Sequence, residues 1–271
     1  MLEKGKKMRL GIIGVGNIGE IFAERLGKEG HELCAYDVRA ERLKETARTH
    51  RFKQAKSNAE VVQVSEVVVV AVKPQTFPSL AEELKKSPFA ERLFISVLAG
   101  IPTGKYEDAL PGIKVIRIMP NLAIKIGKGV IGMARGKNVS EEEEARSEEL
   151  LRPLGMVERV AESKMDAVTA VSGSGAGYVF AIIEALAEAG VRLGLDYSQA
   201  LRMVAQTMAG SAELLLAIGV HPAELKNRVT SPGGTTIEGL FVMEKGGVKG
   251  ILMDAVAAAY RRAKELASAA R

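Results

Sequence analysis

The chain is poor in cross-linking and metal-binding residues. One cysteine, Cys34, stands among 271 residues, so no disulfide within the chain braces the fold, and a reducing cytoplasmic setting is expected. Three histidines, His31, His50 and His221, lie far apart without ligand spacing, so no metal site is expected. Aromatic residues make up only 4% of the chain, and its 38 basic residues are interspersed with 33 acidic ones. That pattern lacks the basic and aromatic clustering of a nucleic-acid surface, and the net charge of +5 reads as solubility and attraction for small anions. No apolar run approaches the roughly 18 residues of a membrane span, so no membrane partner is expected. The basic N-terminus leads into an apolar run of strand length and then a glycine turn, unlike a signal peptide. No nucleophile elbow of the GxSxG type occurs.

What is present is enough apolar residue, 47%, for a sizeable core, and a length that suggests two domains. Up to about residue 160, short β-rich runs (MRLGIIG, HELCAYD, VSEVVVVAV, RLFISVLAG, IKVIRIM) alternate with helical segments such as AERLKETARTH. Five strands alternating with helices predict an α/β domain, a doubly wound and mostly parallel sheet, over residues 1–160. Residues 161–271 read as an all-helical second domain of long apolar helices. Helices with apolar residues on most faces need more cover than one small domain provides, so a partner subunit is expected. Ser140 before Glu141–Glu144 reads as a capped, solvated helix start.

Chemistry enters with GVGNIG. Gly14, Gly16 and Gly19 follow a strand at Arg9–Ile13 and open a helix near Asn17 and Ile18. Glycine permits the tight turn, lets a pyrophosphate approach the backbone and allows close helix packing, while the helix N-terminus offers unpaired amides. The next strand ends at Asp37, where a carboxylate reads the ribose hydroxyls of NAD, whereas Arg39 is placed to receive the 2′-phosphate of NADP. The two residues pull in opposite directions, with NADH favoured by Asp37 at the strand end. In such sheets ligands lie beyond the carboxyl ends of the strands, so Val72, Lys73 and Pro74, then Ala99, then Asn121 should line the same cleft. The plainer alternatives are a strand stopped by proline with Lys73 in solvent, and Asn121 as a turn former.

Two further glycine-rich stretches fall in the helical half. TAVSGSGAGYVF places small residues and Ser174 before an apolar helix, where they allow close backbone approach and the hydroxyls cap or bind. SPGGTTIEGL resembles a second helix start, with Ser231 as cap, Pro232 early in the helix, and Gly233 and Gly234 baring the amides beside the hydroxyls of Thr235 and Thr236. A small carboxylate fits such a site, as does the plainer reading of a capped turn.

The order GxGxxG, AVKP, AG, RxMPN, VSGSG and SPGGTT, over residues 11 to 240, resembles pyrroline-5-carboxylate reductases, and the pairing of VSGSG with SPGGTTIEGL is its most specific part. The resemblance implies a Rossmann domain joined to an all-α dimerisation domain, and NADH- or NADPH-dependent reduction of the C=N bond of 1-pyrroline-5-carboxylate to L-proline. It implies that Gly14 to Gly19 hold the pyrophosphate, that Asn58 contacts the adenosine half, and that Val72, Lys73 and Ala99 line the cofactor. The substrate carboxylate would rest on amides near Gly233 and Gly234, with Thr236 as the catalytic residue that orients the ring nitrogen. Homodimers with intertwined helices, or decamers of them, would be the assembly. The chain departs from the family pattern at Leu122-Ala123, at Ala176-Gly177 and at Asp37-Val38. A reductase of another cyclic imine acid, a β-hydroxyacid dehydrogenase-like enzyme and an NAD(P)-binding regulator remain the alternatives.

Overall fold

A computed structural model of the chain describes residues 7–269, and it divides into two compact units: residues up to 173 together with those from 259 onward, and residues 174–258.

In the first unit the elements run β1 (Arg9–Ile13), α1 (Asn17–Lys28), β2 (Glu32–Tyr36), α2 (Ala40–His50), β3 (Lys53–Gln54), α3 (Asn58–Val64) and β4 (Val67–Val70). They continue through α4 (Phe77–Leu84), β5 (Leu93–Ser96), α5 (Thr103–Ala109), β6 (Lys114–Pro120), β7 (Gly129–Arg135), α6 (Glu141–Leu151), β8 (Gly155–Arg159) and the short α7 (Met165–Val168). The eight strands form one sheet in the order β3-β2-β1-β4-β5-β6-β7-β8. All neighbours are parallel except β6 and β7.

Burial on both faces explains why β4 reads VVVV without alternation: all four valines are buried. Leu10, Ile12, Val67 and Val69 pack with Phe22 and Leu26 of α1 on one face, and Ile13, Val68, Val70 and Phe94 pack with Leu80, Leu84 and Tyr106 on the other. Gly11 in β1 is a point of close approach, since a Cβ there would lie 2.5 Å from Val61 of α3. The strand order reverses direction between β1 and β4, the place where open α/β sheets bind ligands.

Three strands fall outside the five expected. β3 has only two residues, and β8 (GMVER) carries too little β-rich apolar sequence to stand out. β7 (GVIGMAR) is broken in sequence by Gly129 and Gly132, and both are packing requirements: a Cβ on Gly132 would lie 2.5 Å from Val168, and one on Gly129 would overlap Ile124. Ser140 caps α6 as expected, accepting the Glu143 amide at 3.1 Å while the Glu143 carboxylate accepts the Ser140 amide at 3.0 Å.

The second unit contains α8 (Gly175–Arg192), α9 (Tyr197–Ile218), α10 (Pro222–Arg228), α11 (Thr235–Lys245) and the first half of α12 (Val248–Ala269). α8 and α9 pack against each other, yet each buries a single residue, Ala187 and Ala200 respectively. Large apolar side chains stand in the open, among them Phe180, Leu186, Met203, Leu216, Phe241 and Met253.

The expectation that no segment is long and apolar enough to cross a membrane needs correcting. Helical structure runs unbroken over Glu162–Arg192, 31 residues, with a mean hydropathy of 1.4 in its most apolar 18-residue window. Serine and glycine interrupt the apolar run in the sequence, but the helix continues through them.

Candidate functional site

The glycine turn has the shape of a phosphate cradle. Gly14 adopts φ +92 and donates its amide to the Tyr36 carbonyl at 2.8 Å, tying the end of β1 to the end of β2. A Cβ on Gly14 would lie 2.8 Å from the Ala71 carbonyl, and one on Gly19 would overlap the Gly14 carbonyl, so both positions are closed to larger residues. Gly16 differs, because the nearest atom to a Cβ there is an Arg39 guanidinium nitrogen 3.8 Å away. That open position is also the N-cap of α1, with no side chain capping it. The first amides of α1, around Asn17 and Ile18, therefore face outward with the positive end of the helix dipole, an arrangement that fits a pyrophosphate.

Asp37 follows β2 and is 7% exposed. Its Oδ2 accepts the Val15 amide at 2.9 Å and an Arg39 guanidinium N–H at 3.0 Å, while Oδ1 accepts the Arg39 amide at 2.9 Å and Arg39 Nε–H at 3.0 Å. Burial pushes the carboxyl pKa up, but the hydrogen bonds from Arg39 and Val15 outweigh it together, and the net shift is downward. Asp37 is therefore an ionised acceptor at the strand end. Arg39 lies folded onto it with its side chain 60% exposed, free to swing outward.

Asn58 opens α3, buried behind the Ser57 cap. Its Nδ2 donates to Glu83 Oε2 at 2.6 Å, and its Oδ1 is buried without a hydrogen-bond partner. An orphaned buried acceptor costs free energy unless a ligand or water satisfies it, which suits a residue waiting for a donor. After β4, Val72 is half-buried and packs close to Gly14, Lys73 is exposed, and Pro74 begins a 3-10 turn. Ala99 is exposed in the turn after β5. Asn121 is half-buried after β6; its Oδ1 accepts the amides of Ala123 and Val130, both at 3.2 Å, and its Nδ2 donates to Ser172 Oγ at 3.3 Å. The amide oxygen is committed within the fold, so the remaining N–H is what Asn121 has to offer a ligand.

Asn58 apart, which follows β3, these residues lie at the carboxyl ends of β2, β1, β4, β5 and β6, five strands adjacent in the sheet. At the usual ~4.8 Å spacing they span about 19 Å, a groove suited to an extended dinucleotide. Glu83 and Ser172 were not legible as contributors, because nothing in their local sequence points to Asn58 or Asn121.

In the second unit, Ser231 to Gly234 form a tight turn in which Gly233 has φ +67 and the Gly234 amide donates to the Ser231 carbonyl at 3.1 Å. The helix start expected at Ser231 lies further on. α11 begins at Thr235 with Gly234 as its N-cap, and neither Ser231 nor any other side chain caps it. Pro232 accordingly sits in the turn and not in the helix. The physical reason is Gly233, whose left-handed conformation a helix cannot contain. The candidate anion site therefore lies at the start of α11, where the first amides are bare and Thr235 and Thr236 sit in the first turn. Ser174 likewise does not cap α8; its backbone is already helical and its hydroxyl makes no capping bond. A π-helical turn, Thr169–Gly173, precedes it, so the glycines of SGSGAG run into the helix and do not end before it. Among the described residues no group of three His, Cys, Asp or Glu is placed to hold a metal ion.

Comparison with known proteins agrees with both halves. Residues 162–266 match the family model for pyrroline-5-carboxylate reductase dimerisation, and residues 9–100 match that for NADP oxidoreductase, coenzyme F420-dependent. The chain is 40% identical to the pyrroline-5-carboxylate reductase of Methanosarcina acetivorans over 266 residues, covering 96% of this chain and 98% of that one. A solved pyrroline-5-carboxylate reductase from Coxiella burnetii superposes with TM-score 0.89 at 31% identity, covering 96% of this chain and 99% of that one. The Plasmodium falciparum pyrroline carboxylate reductase, solved with NADP bound, superposes with TM-score 0.86 at 29% identity over 96% and 98% of the two chains. With sheet order, glycine turn and a similarity that runs nearly end to end, the chain belongs to the pyrroline-5-carboxylate reductase family.

Proposed function

We propose that this protein reduces the C=N bond of 1-pyrroline-5-carboxylate to give L-proline, the last step of proline biosynthesis, with NADH or NADPH as the reductant. The single observation that carries the reading is the pair of uncapped helix N-termini, α1 behind Gly16 and α11 behind Gly234, one suited to a pyrophosphate and the other to a small carboxylate.

The roles of the residues follow from their chemistry. The amides of α1 around Gly16, Asn17 and Ile18 hold the pyrophosphate, with Gly14 and Gly19 keeping the turn closed. Asp37 accepts ribose hydroxyls, and the unpaired Oδ1 of Asn58 accepts a hydrogen bond from the adenosine half. Val72, Lys73, Pro74, Ala99 and Asn121 line the rest of the groove. When bound there, a reduced nicotinamide supplies the hydride. The bare amides of the first turn of α11, with Ser231, Gly233, Gly234 and Thr235 around them, take the substrate carboxylate, and Ser174 lies in the second glycine-rich stretch assigned to the substrate. The Thr236 hydroxyl orients the ring nitrogen. A threonine hydroxyl is a poor acid, so the nitrogen arrives protonated from solvent and Thr236 positions it.

We infer a preference for NADH, because a buried, ionised Asp37 at the ribose position opposes a 2′-phosphate. Arg39 is the residue that would carry that phosphate after leaving Asp37. The apolar surface of α8 and α9 is assigned to a second copy of the chain in a homodimer, with decamers as the larger assembly, and not to lipid; the enzyme is placed in the cytoplasm.

The test is oxidation of NADH and NADPH by the purified protein with pyrroline-5-carboxylate, a six-membered cyclic imine acid and a keto acid. Turnover with the five-membered imine, and faster with NADH, is expected. Cofactor binding without turnover of any substrate would favour a regulator.

A further inference from the structure

Ser172 lies in the π-helical turn Thr169–Gly173, and its surroundings fix which way its hydroxyl is polarised. Asn121 Oδ1 accepts two backbone N–H groups, from Ala123 and Val130, and backbone amides can only donate. The side-chain amide therefore cannot flip, and it is the Nδ2 end that meets Ser172 Oγ at 3.3 Å. Ser172 accepts in that bond, which leaves its own proton to give away. A serine within a helix usually spends that proton on the carbonyl one turn back, as Thr169 does here on Met165 at 2.9 Å. Ser172, three residues further along the same π turn, departs from that habit: among the described residues it is paired with no acceptor, although it is half-buried.

The turn is held firmly. Val168 packs against Gly132 of β7, Ala170 is fully buried, and Gly173 lies beside Met119 of β6. Such single π turns cost regular hydrogen bonding and are found mostly where function needs them. Position then identifies the acceptor. The ribose reader Asp37 stands at β2 and the phosphate cradle at β1, so the sheet order places the nicotinamide toward β5 and β6, where Asn121 and Ser172 lie.

We propose that Ser172 is a further cofactor-binding residue, whose hydroxyl, oriented by Asn121, donates to the carboxamide oxygen of the nicotinamide. Asn121 is the positioning residue that acts through it. The assignment rests on the reductase reading for the identity of the cofactor, but its test does not require turnover.

The full-length protein and its Ser172→Ala and Ser172→Thr variants are titrated calorimetrically with NADH and with the thionicotinamide analogue, whose sulfur is a weak acceptor. Ser172→Ala should raise the Kd for NADH about five- to tenfold, the worth of one hydrogen bond, and Ser172→Thr should restore it to within about twofold. With the analogue, wild type and Ser172→Ala should differ by less than about twofold, because the bond is already weak. An unchanged Kd for NADH in Ser172→Ala, or an equal loss with both cofactors, would overturn the proposal. So would an effect confined to the KM for the imine acid. Failure of the reductase reading shows separately, as absent wild-type turnover with normal NADH binding.

Discussion

The carboxylate of Asp37 accepts the Val15 amide at 2.9 Å, so the residue proposed to read the ribose also braces the glycine turn. Replacing it therefore has two effects. Asp37→Asn removes the charge that opposes a 2′-phosphate and should shift the ratio of kcat/KM for NADPH over NADH upward by about tenfold, measured by steady-state kinetics. It should also lower stability at neutral pH. Because the folded-state pKa of Asp37 lies below its ordinary value of 3.8, its contribution is full above that value and is lost as pH falls through the folded pKa. The gap in melting temperature between wild type and Asp37→Asn should accordingly close only in strong acid.

Gly16 and Gly19 separate binding from folding. Gly16→Ala places a methyl in open space on the proposed path of the phosphates, so the melting temperature should hold while the Kd for NADH rises by more than about tenfold. Gly19→Ala drives a methyl into the Gly14 carbonyl and should cost about 1–3 kcal/mol in urea unfolding as well.

At the other helix start, Thr236→Ala should lower kcat about ten- to a hundredfold while leaving the Kd for NADH unchanged, with Thr236→Ser recovering most of the rate. Equal turnover of Thr236→Ala and wild type would remove the hydroxyl from the reaction. Gly233→Ala imposes a side chain at φ +67 and should cost about 1–2 kcal/mol, raising the KM for the imine acid because the turn that bares the α11 amides is disturbed.

Arg117 in β6 is buried, with its guanidinium 2.5 Å from Glu162 and 3.9 Å from Asp166. Arg117→Ala strands two carboxylates beside the sheet and should destabilise the first unit by about 3–5 kcal/mol in denaturant titration. Adding Glu162→Gln to that variant should recover part of the loss, a non-additivity that two independent sites would not give.

The sequence was most legible where local pattern and burial agree. β1, β2, β4, β5 and β6 announce themselves as β-rich apolar runs, and the glycine spacing after β1 anticipates a turn whose Gly14 and Gly19 admit no side chain. β7 was hidden because its glycines answer to Val168 and Ile124, neighbours that no local pattern reveals. Sequence alone points to Ser231 and not Gly234 as the cap of α11, since Ser-Pro is the commoner helix opening and the left-handed Gly233 is invisible to composition. The contacts of Asn58 with Glu83 and of Asn121 with Ser172 join residues 25 and 51 positions apart, and only the fold brings them together.

The second unit leaves Phe180 58% exposed and Leu216 78% exposed, on helices that each bury one alanine. Side chains of that size are worth roughly 1.5–3 kcal/mol each once removed from water, more than a lone helical unit of this size can forgo. Its unfolding should therefore obey mass action: the transition temperature climbs with protein concentration, and dilution alone erodes the fold.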